Sequence, residues 1–143
     1  MLKKLVVATV AAFGFSVAAQ AADDVHQFNF NEAVQHALAD GTLDGSVKFY
    51  LAGTKAGGRV IQKGVVTNKK SNGFAKTPEA ACDWVVRSAL IQLQNAAQKR
   101  GANAVTNIVS YYKSNENRSA TQYECHKGMA VVGVALKGDL VKF

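Results

Sequence analysis

Between Thr77 and Gly101 the chain signals both ends of one long helix, and that element narrows the folds open to the rest. Thr77 offers a side-chain oxygen at the N-cap, Pro78 suits the first helical position, and Glu79 complements the positive end of the helix dipole. Lys99 and Arg100 stand in the last turn, and Gly101 can adopt the left-handed conformation that stops a helix. Cys82, Val85, Val86, Ala89, Leu93, Ala96 and Ala97 recur at helical spacing as an apolar stripe, with Asp83, Arg87, Gln94 and Gln98 on the opposite side. A helix so patterned must cover another apolar surface.

The flanking segments read as strands. Val47, Phe49 and Leu51 alternate with Lys48 and Tyr50, the period-two pattern of a half-buried strand. The glycine-rich stretch 53–58 reads as a turn and 60–67 as a second strand with a bulge at Gly64, so the pair reads as a hairpin followed by a polar loop over 68–73. Ahead of it, an extended Val25–Phe28 leads to a short helix capped by Asn31 and stopped by Gly41. After the long helix, 104–113 and 121–136 read as two strands joined by a polar turn over 114–119. The run 128–136 is apolar on both faces, which implies a central strand or burial by a partner chain. The expected fold is α+β: a two-layer sandwich with one long helix on a mostly antiparallel four-stranded sheet, in the order α-β-β-α-β-β.

The first 21 residues have the three parts of a cleaved secretory signal: basic Lys3 and Lys4, an apolar stretch over 5–19, and the small-residue pattern Ala19-Gln20-Ala21. The apolar stretch is shorter than the roughly 20 residues that span a bilayer, and Asp23-Asp24 follow it, so no transmembrane segment is expected after cleavage. Residues 22–143 are then a single periplasmic or secreted domain. Without Lys3 and Lys4, 15 basic residues stand against 10 acidic ones, a net charge of +5. Cys82 and Cys125 both fall in this domain, and an even count in an oxidising compartment favours one disulfide, with two buried thiols as the alternative. No Cys-x-x-Cys spacing suggests redox catalysis.

Catalytic signatures are missing from the sequence. His26, His36 and His126 are scattered, and neither a Gly-x-Ser-x-Gly nor a His-Glu-x-x-His motif occurs. Cys125 and His126 are adjacent, so on a strand they point to opposite faces and do not form a metal site. The run Gly53-Thr54-Lys55-Ala56-Gly57-Gly58 lacks the Gly-Lys-Ser/Thr ending of a phosphate loop and leads into a strand. No cofactor is implied. The one unusual feature is electrostatic: between Gly45 and Pro78, Lys48, Lys55, Arg59, Lys63, Lys69, Lys70 and Lys76 occur with no acidic residue. Of these, Lys55, Arg59, Lys63, Lys69, Lys70 and Lys76 are the candidate anion- or partner-binding residues. Such a patch attracts lipopolysaccharide, phospholipid heads or an acidic envelope protein, and equally serves to guard an exposed strand edge. Nucleic acid is disfavoured, because few aromatics are interleaved with the charges.

With Gly101-Ala102-Asn103-Ala104-Val105 after a helix, then a strand, a variable turn, and Tyr123-Glu124-Cys125 through Val134-Ala135-Leu136, residues 77–138 resemble the RcsF-like and YbjQ-like families. They also resemble small exported proteins labelled "excinuclease ATPase subunit", a label that fits no phosphate-binding motif here. The first likeness implies a compact α/β domain held by disulfides, with Cys82 and Cys125 as a helix-to-strand bridge, and a role exerted through envelope partners. The second implies self-association through sheets. The chain differs from RcsF-like proteins in having no lipidated cysteine and no second cysteine pair. The reading is an exported, non-enzymatic binding protein of the bacterial cell envelope. Its alternatives are a small secreted hydrolase, with His126 as the residue to test, and a self-assembling envelope protein.

Overall fold

The computed structural model describes residues 24–143, so the expected leader lies outside the described residues. In chain order the elements are β1 (Asp24–Asn29), α1 (Phe30–Ala39), β2 (Lys48–Leu51), β3 (Arg59–Asn72), α2 (Pro78–Lys99), β4 (Ala104–Ser110), a single 3-10 turn (Tyr112–Ser114), β5 (Gln122–Lys127) and β6 (Val131–Lys142).

The long helix forms as its ends dictate. Thr77 Oγ1 accepts from Ala80 N at 3.2 Å, Pro78 opens the helix, and Gly101 follows its end with φ +74°. α1 begins earlier than expected, because Asn29 and not Asn31 is its cap: Asn29 Oδ1 accepts from Glu32 N at 2.8 Å.

The sheet corrects the expected architecture. Six strands form one mixed sheet curled into a half-barrel with two helices, in place of four mostly antiparallel strands under one long helix. Three local differences produce this. Residues 24–29 are a true strand, β1, whose backbone pairs antiparallel with β5 and sets Phe28 opposite Tyr123. Residues 121–136 contain two strands and not one, because Gly128 N donates to the Val131 carbonyl at 2.9 Å and folds the chain back. β2 and β3 are not a hairpin. β2 pairs parallel with β4, Phe49 opposite Val105, and Ala52 N extends that union to the Ile108 carbonyl at 2.9 Å. Gly53, Gly57 and Gly58, all at positive φ, then carry the chain to the other side of β6, along which β3 runs antiparallel from Arg59↔Lys142 to Asn72↔Val131. The polar run 68–72 stays in this strand because its backbone groups complete the ladder whatever its side chains are.

β6 is the axis of the sheet. One of its edges is held by β3; the other is shared by β5 near its start (His126↔Gly133) and β4 further on (Ala104↔Val141). Where β4 and β5 diverge, Ser110 Oγ accepts from Glu124 N at 2.9 Å. Val132, Val134, Leu136 and Leu140 of β6 meet Val85, Val86, Ala89, Leu90 and Leu93 of α2 in the core, with Phe30, Ala33 and Ala37 of α1 beside them. Gln94, expected on the polar side, is buried and accepts from Asp44 N at 3.1 Å. Cys82 of α2 and Cys125 of β5 form a disulfide with a Cα–Cα distance of 6.0 Å, tying helix to sheet.

Candidate functional site

The six candidate basic residues do not form one patch. Arg59 lies opposite Lys142 at one end of β3, and Lys55 sits beside it, its Nζ 5.0 Å from the Phe143 ring centre. Lys69 and Lys70 lie near the other end, opposite Val134 and Gly133, and Lys76 follows in the loop to α2. Eleven residue steps of extended chain separate Arg59 from Lys70, roughly 35 Å at the rise of a strand. Lys63 is midway, where the register shifts between Gln62 and Val65. Consecutive residues alternate faces, so Lys69 shares a side with Thr67, whose hydroxyl bonds to Gln92 of α2, while Lys70 stands on the back of the sheet, 5.7 Å from the Tyr112 ring centre. None of the six forms an ion pair among the described residues.

At the Lys70–Lys76 end the charges meet apolar side chains that sequence reasoning did not single out. Asn72 Oδ1 accepts from Phe74 N at 3.0 Å, Lys76 N donates to the Gly73 carbonyl at 3.2 Å, and Ala75 takes φ +61°. This tight turn holds Phe74 outward, 62% exposed. The turn leans on the β5–β6 connection, since Gly73 N donates to the Ala130 carbonyl at 2.9 Å. That connection presents Met129, 81% exposed, and Val131, 49% exposed, beside Lys127, whose Cε lies 3.5 Å from where a Cβ on Gly73 would stand. One tip of the half-barrel thus combines Phe74, Met129 and Val131 with Lys70, Lys76 and Lys127. The hint in the sequence was Gly128-Met129: a glycine followed by a large apolar residue inside an otherwise smooth strand marks a turn that exposes its neighbour.

The back of the sheet holds the histidine of the hydrolase alternative in a closed polar network. His126 Nε2 lies 2.7 Å from Glu124 Oε1, and Asn117 Nδ2 donates to Glu124 Oε2 at 2.6 Å. The Tyr112 ring stacks on His126 at 3.7 Å between centres and covers Gly133, where a Cβ would come within 2.9 Å of its Cε1. The network anchors residues 111–117 to the sheet and leaves the imidazole packed between neighbours. Among the described residues no group of three or more His, Cys, Asp and Glu could hold a metal ion, and no helix is long and apolar enough to cross a membrane.

Compared with known proteins, the chain matches no family model, no curated protein and no solved structure. The internal disulfide is compatible with an exported protein.

Proposed function

We propose that the protein is an exported, non-enzymatic binding protein of the cell envelope that docks on anionic lipid or lipopolysaccharide surfaces through the tip formed by the Gly73–Lys76 turn and the β5–β6 connection. The observation that carries this reading is the coincidence of three exposed apolar side chains and three lysines on one tip. Lysines near an anionic membrane surface contribute about 1 kcal/mol each and draw the protein in; exposed apolar residues then bury themselves among the headgroups. A strand guarded only against aggregation needs the lysines but not Phe74 or Met129. The likeness of residues 77–138 to RcsF-like envelope domains supports the same compartment and the same non-catalytic role.

The test is flotation of residues 22–143 with phosphatidylglycerol-containing and pure phosphatidylcholine vesicles at low and high salt. Retention is expected on the anionic vesicles only, falling as salt rises. Replacing Lys70, Lys76 and Lys127 with Gln should weaken it roughly 100-fold, as three surface lysines predict. Phe74→Ser with Met129→Ser should remove the part that survives high salt. Lys55→Gln with Arg59→Gln, at the far end of β3, should have little effect. Equal retention of the wild type and the triple Gln variant would defeat the proposal.

A further inference from the structure

A second feature lies away from the basic strand. Between α1, the start of α2 and the β1–β5 pair is a cavity of about 470 Å³, within the range that holds small ligands. Its apolar wall includes Phe28 and Tyr123, whose rings are 6.1 Å apart, and its rim carries Glu32, Glu79, Asp83 and His36. Carboxylates in the first turn of a helix ordinarily complement its dipole, and Glu32 and Glu79 occupy such positions. A rim of acids alone therefore indicates nothing.

Tyr123 changes that. The residue is only 2% exposed, its hydroxyl is bonded to no group among the described residues, and no fully buried polar side-chain atom there is left unpaired, so the hydroxyl keeps its exposure on the cavity that Tyr123 lines. Burial, together with the Asp83 carboxylate, pushes this hydroxyl far above the usual phenol range, so it stays neutral and offers both a donor and an acceptor. One N–H at each of the two helix starts that line the cavity is already engaged: Asn29 Oδ1 takes Glu32 N and Thr77 Oγ1 takes Ala80 N. The carboxylates of Glu32 and Glu79 already stand in the first turns of these helices and disfavour a second anion there. Of the acids, Asp83 is held by Arg87 in an ion pair and lies 3.6 Å from His36 Nδ1, whereas Glu32 and Glu79 have no ion-pair partner among the described residues. A neutral hydroxyl, two uncompensated carboxylates and an aromatic wall are together complementary to a group with several N–H donors, a positive charge and a short apolar stem.

We infer that this cavity binds a primary alkylammonium group, its stem along Phe28 and its –NH₃⁺ shared by Tyr123 Oη, Glu32 and Glu79. Two sources carry that chemistry: a free aliphatic diamine and the side chain of a lysine in a peptide. The site is independent of the docking tip, and either can fail without the other.

The test is a titration of ¹⁵N-labelled residues 22–143 with n-pentylammonium, and with 1-pentanol as the neutral counterpart of the same stem. Pentylammonium should shift the amides of Phe28, Glu32 and Tyr123 and bind at least tenfold more tightly than pentanol. Glu32→Gln with Glu79→Gln should abolish that preference, and Tyr123→Phe should weaken the ammonium several-fold while leaving pentanol unchanged. Cadaverine and N-acetyl-lysine methylamide, compared side by side, separate the free diamine from the lysine side chain, and tighter binding of either than of pentanol supports the site. Shifts absent from these amides, equal affinity for pentanol, or an unaltered preference in the double Gln variant would overturn it; the wild-type comparison decides even where a variant fails to fold.

Discussion

Cutting the single disulfide should leave a correctly built but marginal domain. Cys82 and Cys125 are both fully buried and lie 43 residues apart. In the chain-entropy picture a crosslink closing a loop of that length stabilises the native state by about 4 kcal/mol, because it denies the unfolded chain most of its separated conformations. Small domains have a total stability of only about 5–15 kcal/mol, so the loss is a large fraction of the whole. For a domain of this size it corresponds to a fall in Tm of roughly 15 °C. The assay is urea and thermal unfolding of residues 22–143 in three forms: oxidised, reduced after unfolding, and Cys82→Ala/Cys125→Ala. Reduction reports the crosslink alone, and the double alanine adds the loss of two buried sulfur atoms from the core, so it should be the least stable of the three. A reduced protein within about 1 kcal/mol of the oxidised one would refute the reasoning, since the crosslink would then add nothing that the half-barrel lacks. The same numbers explain why this sequence suits an oxidising compartment.

Two further outcomes are expected. Gly133→Ala places a methyl within 2.9 Å of the Tyr112 ring; it should cost about 1–3 kcal/mol by overpacking, and an unchanged urea midpoint would mean that the 111–117 segment is free to lift from the sheet. Lys69 and Lys70 lie on a 14-residue strand that, among the described residues, is paired on one side only, so Lys69→Thr with Lys70→Thr should raise concentration-dependent aggregation measured by light scattering, and a variant as monodisperse as the wild type would show that these lysines do not guard the edge.

The candidate site was legible in the sequence only where it depends on residues close together in the chain. The lysines of the tip were visible as a run without acids, yet their separation into two groups depends on β3 being one continuous strand along β6, with Arg59 and Lys70 at opposite ends. Phe74, Met129 and Val131 are ordinary apolar residues in the sequence; only the hydrogen bond from Gly73 to Ala130, linking positions 57 residues apart, brings their turns together. Tyr123 likewise comes to line a cavity only because α1 and the start of α2 are brought beside β5.

Local chemistry determined α2 from Thr77 to Gly101, because a cap, a first-turn proline and a left-handed stop act through bonds spanning a few residues. The face that Cys82 presents followed from helical period alone. Strand partners did not follow: an alternating segment specifies which of its faces is buried but not which backbone completes its ladder. The tertiary structure therefore decided that β2 lies parallel to β4, that β3 lies along β6, and that β1 closes the far side of β5. Those pairings join residues tens of positions apart, and only the packing of the whole sheet beneath α2 selects among them.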